Sequence, residues 1–272
     1  MKGASHGGGV VAAIDRDGAA ASVLATAGRF AKLTGAGVDA VHVGPSVPAT
    51  LAVLAARAGM SLRAVAGPTR PALLAELERP EVLAIVLGAG DEHRGHHVVG
   101  PTTRHVTERS TKPVVVVPAT GIFAGDGLHR LLVPLEGQDA SSRPVLEALL
   151  PLLVEGVDIE VLHVFTEETL PRMLDRPQRD VELLGREFLA RHCPDATRIA
   201  LRAGTIADRV REICEERAAD LVVLSWSQVS TGGRARVVRD VLECSSLPVL
   251  LLPVAGEAGR TALLEPSLGR AR

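Results

Sequence analysis

Short apolar runs alternate along the chain with longer segments in which apolar residues recur at helical spacing. The short runs are rich in valine, leucine and isoleucine and are bounded by glycine, proline or charged residues, which is typical of buried β-strands. Alternating strands and helices predict parallel strands joined by right-handed crossovers, a doubly wound α/β fold. The predicted strands cover 10–14, 38–43, 61–65, 82–87 and 113–117, and then 130–135, 158–165, 197–202, 220–225 and 248–253.

The segments between these strands predict amphipathic helices. Two of them begin with proline soon after a glycine or threonine, which suits the first turn of a helix because the N–H of that turn has no partner there. In the later part of the chain, apolar residues from Val145 to Leu153 form a one-sided stripe. The predicted helices cover 18–34, 48–58, 71–79, 101–110 and 204–218, besides the one that carries this stripe.

The same plan occurs twice. Residues 113–118 read PVVVVP and residues 248–253 read PVLLLP, and Val41-His42-Val43 recurs as Leu162-His163-Val164. A repeat of this length is the size of a domain and too long for a solenoid unit. The sequence therefore predicts two tandem domains, each with a five-stranded parallel sheet.

The predicted domains cover residues 1–119 and 129–254. A glycine-rich stretch, ATGIFAGDGL, separates them and reads as a linker. Residues 255–272 contain glycine, proline and arginine without apolar periodicity, which predicts a flexible tail.

Composition narrows the classes of function. Hydrophobic residues make up 46% of the chain but aromatic residues only 2%, so the cores must be aliphatic and base-stacking surfaces for nucleic acid are not expected. The net charge of −2 gives no general attraction to polyanions. No apolar run approaches the ~18 residues of a membrane span, and the N-terminus lacks a signal-peptide core. The three cysteines form no CxxC pair, which favours reduced thiols and a cytoplasmic location.

Candidate chemistry follows the fourth predicted strand. In doubly wound folds, ligands bind beyond the carboxyl ends of the strands. Residues 87–101 there read LGAGDEHRGHHVVGP. Glycines allow close approach of the backbone, and the amino end of the next helix offers N–H groups to an anion. A phosphate-binding loop is one interpretation, and a glycine-permitted turn inherited from a binding ancestor is the other.

This segment resembles the nucleotide-binding pattern of the universal stress protein family, and the chain resembles the tandem form of that family over nearly its whole length. Gly90 and Gly100 enclose nine residues, and Gly100 stands thirteen positions before Pro113, which is the family spacing. Asp15 ends the first strand where the family has an acid that contacts adenosine, and Val43 falls where a backbone contact to adenine is expected. The resemblance implies ATP or another adenine nucleotide in the first domain, bound by Asp15, Val43, Gly88, Gly90, Gly100 and Thr102.

The first domain departs from the family pattern at two places. Gly88 stands one position later than the first glycine of the pattern. Pro101 replaces a serine or threonine, which removes a hydroxyl and a backbone N–H that would face phosphate. Thr102 and Thr103 offer hydroxyls at the next positions. These changes predict a weakened first site.

The second domain departs further. Ala235-Arg236 stands where the pattern has Gly-Ser, and residues 224–228 (LSWSQ) contain no glycine where the family loop is rich in it. Glu136 takes the place of the acid after the first strand. These replacements predict that the second nucleotide site has been lost.

Other residues have less specific interpretations. The histidines at 93, 96, 97 and 105 have no recognisable spacing for a metal site, so solvated side chains are expected. Residues 230–236 (STGGRAR) precede a helix that contains Arg239, and they predict either an anion site or simply exposed arginines. Trp226 is expected to serve in packing or in contact with a partner. No Walker A, HExxH or GxSxG motif is present, and no cysteine has a catalytic constellation.

The sequence favours two classes of function. The first is a non-enzymatic regulatory protein of the stress response that senses an adenine nucleotide through its first domain. The second is a binding or scaffold protein that has lost the pocket, with an unknown protein as partner. An ATP-hydrolysing enzyme is the third and least favoured. The resemblance also implies that the two fifth strands pair at their edges, here within one chain as a pseudo-dimer, and homodimerisation stays open.

Overall fold

The computed structural model describes residues 9–15, 17–90, 92–93, 96–97, 99–118, 127–135, 139–165, 178–194, 196, 198–226 and 233–253. The predicted tail and most of the predicted linker lie outside the described residues, and the two domain boundaries stay predictions. Residues 9–118 are called the first half below, and residues 127–253 the second half.

The first half alternates strands and helices as the sequence predicts. A two-stranded antiparallel hairpin, which the sequence did not predict, lies within the candidate loop between the fourth predicted strand and its helix. The elements are β1 (Gly9–Ala13), α1 (Asp17–Thr34), β2 (Gly37–Val43), α2 (Ala49–Arg57), β3 (Leu62–Val65), α3 (Thr69–Glu78), β4 (Val82–Gly88), the hairpin strands β5 (Glu92–His93) and β6 (His96–His97), α4 (Pro101–Arg109) and β7 (Val114–Val117).

The second half follows the same order. A short 3-10 turn, Leu150–Leu152, follows its first helix, and its third helix is followed by Ala218, which adopts the left-handed conformation with φ of 48°. The elements are β8 (Arg130–Leu135), α5 (Asp139–Leu149), β9 (Asp158–Phe165), α6 (Gln178–His192), β10 (Arg198–Ala203), α7 (Ile206–Arg217), β11 (Leu221–Trp226), α8 (Gly233–Cys244) and β12 (Val249–Pro253).

The two halves form one ten-stranded sheet with the order β10-β9-β8-β11-β12-β7-β4-β1-β2-β3. Within each half the neighbouring strands are parallel, and the two halves join through an antiparallel pair, β12 with β7. In this pair Val115 lies opposite Leu250, and both side chains are fully buried. The predicted doubly wound fold and the predicted pairing of the fifth strands are therefore confirmed.

Continuous apolar sequence explains this central pair. All four valines of β7 are buried, as are the leucines of β12, because helices cover both faces of a parallel sheet. An uncovered edge of this composition would promote aggregation, and the pairing covers it. Two apolar clusters lie on the two faces of the sheet, and each contains residues of both halves.

The antiparallel join also determines which parts of the two halves meet. The carboxyl ends of the second-half strands lie beside the amino ends of the first-half strands, since β7 and β12 run in opposite directions. As a result, α8 of the second half packs against β6 of the first half.

Candidate functional site

A cavity of about 260 Å³ opens at the carboxyl ends of β1, β2 and β4 in the first half. Its volume is close to the lower end of the ~300–1,000 Å³ range that is usual for small-molecule sites. The amino-terminal turns of α1, α3 and α4 complete its wall. All six residues that the sequence predicted as a binding site line this one cavity: Asp15, Val43, Gly88, Gly90, Gly100 and Thr102.

One side of the cavity is apolar. Val41 and Val43 of β2 face it together with Val23 of α1 and Leu73 of α3. Of these, only Val43 was predicted, because Val23 and Leu73 come from helices that the fold brings across from other parts of the sequence. The start of a helix directly after a strand is the signal that points to Thr69 and Leu73, since such turns face the ligand edge of the sheet.

The amino end of α4 forms another part of the cavity wall. Gly100 is the N-cap residue and no side chain caps the helix. The first backbone bond within the helix runs from the N–H of Arg104 to the carbonyl of Gly100, at 3.0 Å. The N–H groups of Thr102 and Thr103 therefore have no acceptor within the helix, and both residues line the cavity. Such a helix end carries partial positive charge and suits an anion.

The two threonines after Pro101 differ in their hydrogen bonding. The hydroxyl of Thr103 is buried and donates to the carbonyl of Gly88 at 2.7 Å. The side chain of Thr102 is partly exposed at the cavity, and within the described part of the chain its hydroxyl forms no hydrogen bond. The hydroxyl of Thr102 is thus available to a ligand. It can replace the serine or threonine hydroxyl that the family pattern has at the position of Pro101.

The glycine loop closes on itself. The N–H of Gly100 donates to the carbonyl of Ala89 at 2.6 Å, so the chain returns to the end of β4 after the β5–β6 hairpin. Gly90 has φ of 131°, a conformation that residues with a side chain rarely adopt. A glycine is therefore required at position 90 by the backbone itself, whichever ligand the loop binds.

Asp15 lies two residues beyond the end of β1, and its side chain is exposed at the cavity. The neighbouring Ile14 is held in place because its N–H donates to the carbonyl of Val41 at 2.9 Å. Within the described residues Asp15 is the charged side chain of the cavity wall. A carboxylate in this place can accept hydrogen bonds from the hydroxyls of a sugar.

The second half places a large side chain where the first half has a small one. Gly88 lies opposite Val117 and Ser225 opposite Leu252, and these partners occupy the same position of the repeated terminal strand. Trp226 is consequently the counterpart of Ala89. Its indole is buried, and its Nε1–H donates to the carbonyl of Thr107 in the first half at 2.7 Å.

Several other predictions about the second half fall outside the described residues. These are the side chains at 136 and 235 and the whole of 227–232, so the loss of the second nucleotide site stays a prediction. Arg236 is described, and its side chain is 82% exposed. This agrees with the interpretation of residues 230–236 as a segment of exposed arginines.

Metal and thiol chemistry find no support among the described residues. No group of three or more histidine, cysteine, aspartate or glutamate side chains with the arrangement of a metal site occurs among them. The side chains at 93, 96 and 97 lie outside what the structure describes, and the expectation that they bind no metal stays a prediction. Burial raises the pKa of the Cys193 thiol to about 11 and that of Cys214 to about 12, which disfavours the reactive thiolate.

Among the described helices, none combines the length and the apolar composition that crossing a bilayer requires.

Comparison with known protein families gives a match for the second half. The sequence model of the universal stress protein family matches residues 127–253. No curated protein sequence matches the chain. The second half therefore carries the sequence of the universal stress protein family on the fold described above.

Solved structures share the fold over both halves. A functionally unknown protein from Pseudomonas aeruginosa is 13% identical with a TM-score of 0.65, and the match covers 90% of this chain and 92% of that one. A putative universal stress protein from the same species is 13% identical, with a TM-score of 0.63 and the same coverage of 90% and 92%. A universal stress protein from Archaeoglobus fulgidus is 15% identical, with a TM-score of 0.60 and coverage of 92% and 97%. At these identities the likeness establishes the fold.

Proposed function

We propose that this protein is a non-enzymatic, cytoplasmic regulator of the stress response that binds an adenine nucleotide in the cavity of its first half. One observation carries the proposal: the six residues predicted from the sequence come from three separate segments of the chain and line a single cavity. That cavity also has the three kinds of surface that a nucleotide needs, each at a different place on its wall.

The ligand is proposed to lie with its base against the apolar side. Val41, Val43 and Leu73 offer aliphatic contacts there, and Asp15 accepts hydrogen bonds from the ribose. The phosphate lies at the closed glycine loop and at the uncapped N–H groups of Thr102 and Thr103.

Binding without turnover is proposed because the described wall offers little for phosphoryl transfer. That reaction needs a metal ion, carboxylates that hold it and a positioned water. Within the described residues Asp15 is the carboxylate that the wall supplies. A nucleotide that is bound without being hydrolysed suits a sensor.

Calorimetric titration of the full chain with ATP and with AMP tests the proposal. Asp15→Asn keeps the size of the side chain and removes its charge, so nucleotide affinity is expected to fall about tenfold, the equivalent of ~1.4 kcal/mol. Asp39→Asn is the matched control. Asp39 is an exposed aspartate of β2 that accepts a hydrogen bond from Ser61 at 2.6 Å, and its replacement is expected to leave affinity unchanged.

Each contrary result has a distinct meaning. No binding heat at millimolar ATP or AMP would reject the nucleotide sensor. Binding that is insensitive to Asp15→Asn would place the ligand elsewhere. Phosphate release above a buffer blank would show that the protein is an enzyme.

A scaffold protein that binds a protein partner without nucleotide is the second candidate. Two observations favour it: Pro101 removes a backbone N–H from the helix end that would meet phosphate, and Trp226 occupies the equivalent region of the second half. Absence of nucleotide binding, together with a folded and stable chain, would support this candidate. Sedimentation of the purified chain would then show whether the partner is a second copy.

A further inference from the structure

Helix α4, which presents its amino end to the cavity, is held in place at both ends. At the amino end, the hydroxyl of Thr103 donates to the carbonyl of Gly88, and the N–H of Gly100 donates to the carbonyl of Ala89. At the carboxyl end the contact comes from the other half of the molecule, through the Nε1–H of Trp226.

The bond from Trp226 satisfies a group that the helix cannot satisfy itself. The last carbonyls of a helix lack partners within it. The carbonyl of Val106 accepts from the N–H of Ser110 at 2.9 Å, and the next one, of Thr107, accepts from the indole at 2.7 Å. Thr107 and Trp226 are both buried. Without the indole this carbonyl would lose its hydrogen bond in a place where water does not easily replace it.

We propose that Trp226 is a positioning residue for the ligand site of the first half. By capping the carboxyl end of α4, it fixes the direction in which the N–H groups of Thr102 and Thr103 meet the phosphate. Helix α4 has nine residues and is therefore only ~13 Å long, so its capped carboxyl end lies within about three turns of the N–H groups at its amino end. The inference rests on the proposed function, since it concerns the same cavity.

The second half contacts the site-forming segment at another point as well. Helix α8 packs against β6, which lies between Gly90 and Gly100 in the glycine loop. Both the loop and the helix that follows it therefore have a support in the second half. This arrangement gives the second half a role in nucleotide binding even though its own loop has no glycine at the corresponding place.

Fluorescence of the unmodified protein provides the first test. The chain has one tryptophan and no tyrosine, so its intrinsic emission reports Trp226 alone. Titration with AMP is expected to change the intensity or wavelength of this emission, with a midpoint equal to the Kd from calorimetry. The cavity lies at the opposite end of α4, and a direct contact between AMP and the indole is not required.

A variant provides the second test. Trp226→Phe keeps an aromatic ring and removes the N–H donor, and AMP affinity is expected to fall about fivefold, the equivalent of ~1 kcal/mol. Phe165→Leu is the matched control. Phe165 is another buried aromatic residue of the second half, and it packs against His163 with ring centroids 4.5 Å apart. Its replacement is expected to lower the melting temperature while AMP affinity stays within about twofold.

The outcomes separate this inference from the function on which it rests. If calorimetry shows AMP binding and Trp226→Phe binds as tightly as the unmodified protein, Trp226 does not position the site, and the nucleotide-binding function stands. If AMP fails to bind the unmodified protein, both proposals fall. If affinity falls in Trp226→Phe, stays constant in Phe165→Leu and the emission follows occupancy, the inference is supported.

Discussion

The Nδ1 atom of His163 lies 2.9 Å from the carbonyl oxygen of Leu135. A carbonyl only accepts, so the proton of this hydrogen bond sits on Nδ1. The first half contains the same bond between His42 and Ile14 at 3.1 Å, and in both halves the two residues are 28 positions apart. The internal repeat thus preserves a specific polar contact between its first two strands in addition to the apolar pattern.

The surroundings of His163 shift the pKa of its imidazole. The side chain is buried between Phe165 and Phe188, with His192 close by on α6. Burial lowers the pKa of His163 below its usual value, the bond to Leu135 raises it in part, and the nearby His192 lowers it further. The native state therefore favours neutral His163.

We expect His163→Gln to flatten the pH dependence of stability below pH ~6.5, the usual histidine pKa. In the unmodified protein the unfolded state takes up a proton at His163 before the native state does, so the free energy of unfolding falls as pH decreases through this range, by at most ~1.4 kcal/mol per pH unit. Glutamine keeps an N–H donor and does not titrate. Urea unfolding at several pH values measures the difference, and parallel curves for the two proteins would contradict the assignment.

Glu76 is expected to stabilise the first half through its arginine partners. It accepts hydrogen bonds from Arg63 at 2.9 Å and from Arg79 at 3.0 Å, and its side chain is only 12% exposed. Glu76→Gln is expected to lower the free energy of unfolding near neutral pH by about 1–3 kcal/mol, the usual range for hydrogen bonds to charged groups. Glu81→Gln, which alters an exposed partner of Arg79, is the control and should have little effect.

The pH dependence that Glu76 contributes has the same sign as that of His163 and lies at lower pH, because the pKa of each group is lower in the native state than in the unfolded state. The hydrogen bond from Arg63 is the main cause that holds the pKa of Glu76 below its usual value of 4.5. The stabilisation is complete above the unfolded-state pKa and is lost as pH falls through the native-state value. The difference between Glu76→Gln and the unmodified protein should therefore shrink in acid. A constant difference across that range would show that charge is not the cause.

The strands could be predicted from the sequence because each is a continuous apolar run with clear boundaries. β7 and β12 are the plainest cases, and even their pairing followed from the family resemblance. The β5–β6 hairpin could not be predicted, because its segment is polar and has neither the alternation of a strand nor the period of a helix. Two-residue strands give no periodic signal.

The candidate site could be predicted only at residues that a motif spacing or the end of a strand marks. Gly90 and Gly100 are recognised by their spacing, and Asp15 by its place at the end of a strand. Leu73 joins the same cavity across the sheet, and the bond between Trp226 and Thr107 links residues 119 positions apart. No local pattern encodes such contacts, since they depend on how the two halves pack.

The β7–β12 pair is expected to hold both halves in one folding unit. Leu250→Ala removes a fully buried side chain opposite Val115 and is expected to cost about 2–5 kcal/mol. Leu183→Ala is the control, because that leucine is 52% exposed on α6. Denaturant unfolding followed by circular dichroism measures both. If Leu250→Ala is no more harmful than Leu183→Ala, the central pairing does not form.

Two glycines of the cavity wall allow loop conformation and ligand space to be tested separately. Gly90 has φ of 131°, so Gly90→Ala should strain the backbone, cost about 1–3 kcal/mol and lower the melting temperature by several degrees. A Cβ at Gly88 would lie 3.7 Å from Ala19 and 3.8 Å from Val23, which are ordinary contact distances. Gly88→Ala should therefore leave the melting temperature nearly unchanged.

The same Gly88→Ala methyl group would occupy space on the cavity wall, next to Ala19 and Val23, which also line it. We therefore expect AMP affinity to fall about tenfold in this variant, equivalent to ~1.4 kcal/mol, in a protein that is as stable as the original. Calorimetry with thermal unfolding on the same samples makes the comparison. If Gly88→Ala binds AMP normally, the nucleotide does not lie against the end of β4, because a methyl group there must meet any ligand that does.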